Sequence, residues 1–321
     1  MDHQNTHRIA IVLAGPTGSG KTYLSTFIAK KSAVEIVSAD SRQIYKYMDI
    51  GTAKPSKEIL SAIPHHFIDI LEPDQFYSAG QYGSDARKVI REIFEKNKIP
   101  LVVGGSGLYI KALLEGFFKN DVRDEGIRKS LQRRLETEGP ELLYQELMQV
   151  DEASAQKIHP QNSQRLIRAL EVYLASGVPL SHLQQKEADP PDFRTIKFGI
   201  TKDRKQLYRD IDERVDEMFR AGLLQEVSNL LQRGYAKELN SLNSVGYKEV
   251  IQYLDGIIDY DTCTELVKRN SRRYAKRQLT WFKADPEIQW IEIRKPDDYE
   301  EACEVILRTY HKTLNARKKA V

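Results

Sequence analysis

The sequence is poor in cysteine: Cys263 and Cys303 are the only two in 321 residues, and they form no C-x-x-C pair. That spacing excludes a disulfide framework and a cysteine-rich zinc module, and two isolated thiols fit a reducing, cytoplasmic setting. No apolar run approaches the roughly 18 residues of a membrane span. The first one, 9–14, is too short for a secretory core and leads into glycine-rich sequence. An excess of one charge is also missing. Lysine and arginine number 49 against 46 acidic residues, a net +3, so a nucleic-acid partner must be argued from local clustering. There is no internal repeat and no low-complexity tract. A soluble chain of this length, at roughly 150 residues per domain, suggests two domains with cores that need no covalent staple.

Short apolar runs alternate with helical patterns in the first third. Residues 9–14, 34–38, 67–70 and 101–103 read as buried strands, with helices at 21–31 and 78–97. Continuous apolar strands separated by helices indicate a parallel sheet covered on both faces, which binds ligands beyond its carboxyl ends. The texture then changes. Helical patterns at 127–138, 141–150, 152–158 and 163–176 precede Pro190-Pro191, and strand pattern resumes at 195–200. This predicts an all-helical insertion at 118–189, between core segments 1–117 and 190–321. Helices dominate afterwards, with one late strand at 289–293 and a basic tail, 317–319, expected to fray.

Gly15-Pro16-Thr17-Gly18-Ser19-Gly20-Lys21-Thr22 fits G-x-x-x-x-G-K-[ST] between a strand and a helix, the context of an ATP-type phosphate loop. Its amides and the helix N-terminus would cradle an anion, Lys21 would neutralise it, and the Thr22 hydroxyl would hold Mg²⁺. Asp40 comes after the second strand, where it would face the ligand crevice as a proton acceptor or metal ligand, or else cap a turn. Gly104-Gly105-Ser106-Gly107 is a second glycine turn, with Ser106 a phosphate-oxygen donor or a helix cap. On the helix at 205–221, Arg214 falls within the apolar stripe of Leu207, Ile211, Val215 and Met218. An inward arginine requires an anionic partner, either an internal carboxylate or a bound phosphate.

Residues 268–283 hold seven positive charges and no acid. On a helix, Arg269, Arg272, Lys276 and Lys283 share one face, opposite Val267, Tyr274 and Trp281. Such a helix is expected to dock by its aromatic side and present a cationic stripe to nucleic-acid phosphates, in preference to a merely solvated face.

Seven ordered blocks carry a resemblance: GPTGSGKT at 15–22, ADSRQIYKYMDIGTAKP at 39–55, PHHFIDILEPDQFYSAGQY at 64–82, VGGSGLYIKALLEG at 103–116, QRLIRALEVY at 164–173, NSVGYKE at 243–249 and RRYAKRQLTWFK at 272–283. The chain resembles the bacterial tRNA dimethylallyltransferase (tRNA isopentenyltransferase) family along nearly its whole length. The resemblance implies an α/β fold, a P-loop NTPase-like parallel sheet flanked by helices, with the all-helical insertion gripping the tRNA anticodon arm. It implies transfer of a dimethylallyl group from dimethylallyl diphosphate to N6 of the adenosine 3′ of the anticodon, in tRNAs reading codons that begin with U.

It further implies that the diphosphate lies on Gly15 to Thr22 with Mg²⁺ at Thr22, and that Asp40, Ser106 and Arg214 are catalytic. Ser106 stands where the family usually has threonine. For tRNA, the resemblance points to Asp40, Ser41, Arg42, Gln43, Ser106, Arg128, Gln164, Arg165, Leu166, Ile167 and Arg168. It also points to Asn243, Gly246, Tyr247, Lys248, Lys276, Arg277, Gln278, Trp281 and Lys283. Gln161-Asn162 replaces the family's usual Asn-Asp, and a monomer is expected. A small-molecule kinase would share the phosphate loop but explain neither the basic helix nor the insertion, and an RNA-binding NTPase would show nucleotide-dependent RNA affinity and tolerate Asp40→Asn.

Overall fold

The computed structural model describes residues 8–116, 122–185 and 190–318. β1 (Ile9–Ala14) leads into α1 (Lys21–Lys31), β2 (Val34–Ser38), α2 (Lys57–Ala62), β3 (His65–His66), α3 (Ala79–Glu95), β4 (Ile99–Gly104) and α4 (Gly107–Glu115). Five helices come next: α5 (Glu125–Glu138), α6 (Pro140–Val150), α7 (Glu152–Ala155), α8 (Ser163–Ser176) and α9 (Leu180–Gln185). The chain continues through β5 (Arg194–Thr201), α10 (Arg204–Arg220), α11 (Leu223–Gln232), α12 (Tyr247–Leu254), α13 (Tyr260–Lys283), β6 (Gln289–Glu292) and α14 (Asp298–Lys318). Expected boundary residues 118 and 189 lie outside the described residues. So does residue 319 of the tail, while residues 317 and 318 close α14.

The chain divides into two compact units, one within 1–77, 81–113 and 191–321, the other within 78–80 and 114–190. The first is built on a six-stranded sheet in the order β3-β2-β4-β1-β5-β6, with every pairing parallel. β1 is buried along its entire length, as a central parallel strand of Ile, Val, Leu and Ala must be. Its side chains join Leu24 and Ile28 of α1, Phe198 of β5 and Ile306 of α14 in the main core.

One expected strand is corrected. The sheet's edge strand is only His65–His66, and 67–70 turn away from it. Phe67 and Asp69 adopt left-handed φ of 65° and 54°. The amides of Asp69 and Ile70 donate to the carbonyls of Gln43 and Ile44. Phe67 is held there by burial and an edge contact with Tyr82. Alternating apolar residues resemble a strand, but here their backbone bonds serve a loop.

The second unit contains α5 to α9 around Leu131, Leu143, Leu147, Leu166 and Leu170. Local chemistry fixes the helix ends: Asn162 caps the start of α8, Gly177 ends it at φ 70°, and Pro140 opens α6. Glu171 is fully buried and accepts from Arg128 at 3.1 Å and Arg168 at 3.2 Å. Among the described residues no helix is long and apolar enough to cross a membrane.

Candidate active site

Strand register brings three loops together. Ala14 of β1 pairs with Gly104 of β4, and Val103 of β4 with Ser38 of β2, so these three adjacent strands end level. The segments leaving their carboxyl ends must therefore meet at one sheet edge. Those segments are the 15–22 loop, the turn that begins at Asp40, and the 104–107 turn.

The loop at 15–22 leaves several of its amides without a backbone partner. Gly20 caps α1 at φ 89° with no side-chain hydrogen bond, and its missing Cβ makes room for the Tyr299 hydroxyl. Among the described residues, the N–H groups of Gly18, Gly20, Lys21 and Thr22 have no protein acceptor. Several free amides at a helix start form an anion cradle.

The Asp40 carboxylate accepts the N–H groups of Arg42 at 2.8 Å and Gln43 at 3.3 Å, both through Oδ1. It therefore caps the following turn with one oxygen, and the turn fixes where the other points. Ser106 Oγ accepts the Ser41 N–H at 3.0 Å and lies 3.2 Å from the Ser41 hydroxyl. A carboxylate and a hydroxyl are thus tied to each other beside the cradle.

Arg214 meets the loop through a hydroxyl. α10 packs on the loop through Leu207 and Ile211, whose side chain would collide with a β-carbon at Gly18. One turn on, Arg214 donates to the Thr17 hydroxyl at 3.2 Å. Lys21 Nζ donates to the Pro16 carbonyl at 2.7 Å. Burial first, and the Arg214 charge second, push Lys21 down to about 7, while Asp40 opposes the shift. Burial lowers Arg214 as well, with Asp40 and Glu217 opposing. Two cations sharing a desolvated pocket with one carboxylate call for an anion.

The basic helix is placed differently from expectation. The buried face of α13 is Cys263, Val267, Ala275, Gln278 and Phe282, whereas Tyr274 and Trp281 are 36% and 43% exposed. Arg272 pairs with Asp212 and Lys268 with Asp216 of α10. Their acidic partners were invisible because they lie on another helix. The exposed cations are Arg269, Arg273, Lys276, Arg277 and Lys283, and Trp281 joins Arg273, Lys276 and Arg277 around an open depression. Tyr274, expected on the docked aromatic face, instead lies by Ser106 and Asp40. Burial, then the Asp40 charge, push its phenol up to about 12.

Other expected RNA contacts separate into two groups. Asn243 and Lys248 are exposed, and Arg42 reaches the Asn240 carbonyl at 2.6 Å. Gln43 donates to the carbonyls of Thr52 and Ala53, bracing the 49–54 loop. Tyr247 is instead buried against Gly51 and donates to Glu226, Gly246 is buried, and Gln278 lies between two loops. In the second unit, Gln164 and Arg165 are exposed, while Leu166 and Ile167 are core residues. The side chains of Tyr247, Gln278, Leu166 and Ile167 are each buried inside their own unit.

Glu226 was missed altogether. It accepts the N–H groups of Asp49, Ile50 and Gly51 and the Tyr247 hydroxyl, and so anchors the loop after the Asp40 turn. No sequence spacing relates α11 to that loop.

The glycine-rich loop at 15–22, with a carboxylate and a hydroxyl at the neighbouring strand ends, gives this P-loop-type sheet a pocket suited to an anion. The model of the family described as IPP transferase matches residues 43–285. The tRNA dimethylallyltransferase of Pelotomaculum thermopropionicum is 45% identical over 309 residues, 96% of this chain and 98% of that protein. The crystal structure of the tRNA isopentenylpyrophosphate transferase from Bacillus halodurans superposes with a TM-score of 0.72 at 36% identity, covering 98% of this chain and 99% of that one. A eukaryotic dimethylallyltransferase captured acting on tRNA gives 0.75 at 28% identity over 89% of this chain and 74% of its own. The chain belongs to the IPP transferase family.

Proposed function

We propose that this chain transfers a dimethylallyl group from dimethylallyl diphosphate to N6 of a tRNA adenosine, the one 3′ of the anticodon in tRNAs reading codons that begin with U. The observation that carries the reading is the meeting of four free loop amides, Lys21 and Arg214 with Asp40 and Ser106 at the ends of three adjacent strands.

Dimethylallyl diphosphate lies with its diphosphate on the cradle. An exocyclic aromatic amine is a weak nucleophile and too weak an acid to ionise beforehand. Asp40 orients it and takes its proton as the N6–C1 bond forms. The allylic C1–O bond breaks and diphosphate leaves with the bonding pair. Lys21, Arg214 and the Ser106 hydroxyl stabilise the charge that grows on that oxygen. The Thr22 hydroxyl, exposed at the first turn of α1, is an oxygen donor of the kind Mg²⁺ takes, and the ion would supply further neutralisation of the diphosphate.

The exposed cations of α13 supply affinity for the anticodon stem-loop, with Trp281 a stacking surface. The second unit grips the anticodon arm through Gln164 and Arg165. The target base leaves its stack at a cost of a few kcal/mol, which a loop lowers. A cytoplasmic monomer meets these requirements.

The test is incorporation of labelled dimethylallyl diphosphate into unmodified tRNA with Mg²⁺, beside an ATP-hydrolysis assay. Label in the nucleoside next to the anticodon is expected, with Asp40→Asn abolishing transfer but not tRNA binding. RNA-stimulated hydrolysis without label would instead establish an NTPase, and transfer by Asp40→Asn at the wild-type rate would remove the proton-acceptor role.

A further inference from the structure

Gln278 is only 7% exposed on the buried face of α13, among Val267, Ala275 and Phe282. A buried amide side chain is tolerated when both of its ends are hydrogen-bonded. Here Oε1 accepts the Thr17 N–H at 2.8 Å and Nε2 donates to the Gly105 carbonyl at 2.9 Å. The two partners belong to different loops, the phosphate loop and the turn that carries Ser106.

The turn is shaped for this contact. A β-carbon at Gly105 would lie 2.2 Å from Gln278 Nε2, and one at Gly107 would lie 2.2 Å from Trp281 Nε1. Successive turns of α13 therefore rest on 104–107. Thr17 is also pinned twice, its N–H by Gln278 and its hydroxyl by Arg214.

We propose that Gln278 is a positioning residue for prenyl transfer, a strut that fixes the span between the diphosphate loop and Ser106. The proposal rests on the transferase function proposed for this site. Transfer requires the leaving oxygen, the Ser106 hydroxyl and the amine held by Asp40 to keep one geometry. A misplacement of about 1 Å at such a site costs about 100-fold in rate. Without the strut, the Thr17 amide and the Gly105 carbonyl lose their common partner and the loops move independently.

Two variants test this beside the wild type. Gln278→Met keeps the length and apolar fit but loses both hydrogen bonds. It is expected to lower kcat for transfer by about 10- to 100-fold. Its affinity for a labelled anticodon stem-loop should stay within about twofold, because Lys276, Arg277 and Lys283 are untouched. Gln278→Glu separates the two halves of the strut. Its ionised carboxylate still accepts from Thr17 but sets an oxygen against the Gly105 carbonyl. Protonated, it regains an O–H to donate there. Burial raises a carboxyl's pKa, and position 278 is buried, so the ratio of variant to wild-type kcat should rise as pH falls from about 8 to about 5.5, while the Gln278→Met ratio stays flat.

A packing role alone gives pH-independent ratios for both variants. Wild-type turnover by Gln278→Met, or a flat ratio for Gln278→Glu, overturns the strut; should Gln278→Met not fold, the second ratio decides. Transfer by the wild type checks the underlying function. If no chain transfers, that function and the strut fall together; if all transfer equally, the strut alone falls.

Discussion

Arg214 donates to the Thr17 hydroxyl at 3.2 Å, linking the middle of α10 to the phosphate loop. No carboxylate forms an ion pair with it among the described residues, although Asp40 and Glu217 lie within electrostatic reach. A half-buried guanidinium held only by a neutral hydroxyl is poised for an incoming anion. Arg214→Gln should lower kcat for transfer by roughly 100- to 1,000-fold, the scale set by removing one donor from a transition-state oxyanion. Arg214→Lys should recover little, since a point charge cannot reproduce the planar fork. Steady-state kinetics with tRNA saturating would measure both, and near-wild-type kcat in Arg214→Gln would return this arginine to a structural role.

Lys21 supplies a pH dependence whose sign can be worked out. Burial and Arg214 bring it from its ordinary 10.5 to about 7, so the unliganded protein holds it increasingly neutral above that pH. A diphosphate restores the ammonium, and binding therefore takes up a proton. Affinity for dimethylallyl diphosphate should be flat below about pH 7 from this group and fall by up to about tenfold per pH unit above it. Calorimetry in buffers of different ionisation enthalpy would count the proton, and Lys21→Met should abolish the uptake. The same shift makes the unliganded fold gain stability as pH rises from about 7 towards 10.5, where the unfolded chain binds more protons.

The loop at 15–22 was legible because it is local. Residues 15–22 carry their motif in one stretch, and the apolar strands before Asp40 and Ser106 imply the edge at which they meet. Arg214 was visible as a polar intrusion in an apolar stripe, though only the structure supplied Thr17 as its partner. Contacts across long separations left no such trace. Arg272 and Lys268 read as free cations because Asp212 and Asp216 lie on α10. Gln278 was expected to meet tRNA along with its basic neighbours, because nothing local shows that a helix of charges turns an amide inward. The strand expected at 67–70 failed for a related reason: its alternating pattern serves a loop that pairs with Gln43 and Ile44.

Glu226 makes a separate prediction about stability. Three backbone amides and one phenol converge on this carboxylate at 2.6–3.0 Å. Glu226→Ala leaves all four donors without it, including the hydroxyl of the buried Tyr247. Unsatisfied buried groups cost about 1–3 kcal/mol each, and with water reaching the outer amides the total should be about 2–4 kcal/mol. Urea denaturation would measure it. Glu226→Gln should lose less, because its carbonyl still accepts. A loss below about 0.5 kcal/mol for Glu226→Ala would mean that the 49–51 loop holds its shape unaided.

The two classes of cation on α13 should separate under salt. Lys276 and Arg277 are exposed and flank Trp281, whereas Arg272 is committed to Asp212. A residue that neutralises an RNA phosphate releases counterions, so its loss reduces the slope of log affinity against log salt by about 0.7–0.9. Lys276→Ala and Arg277→Ala should each flatten the slope by about that amount. Arg272→Ala should leave the slope unchanged and instead lower thermal stability, by roughly 1 kcal/mol for a half-exposed pair. Fluorescence anisotropy of a labelled anticodon stem-loop across a salt series, with a parallel thermal melt, distinguishes the two effects. If Arg272→Ala flattens the slope as much as Lys276→Ala does, the arginine leaves Asp212 for a phosphate in the complex, and the division between structural and RNA-facing cations is wrong.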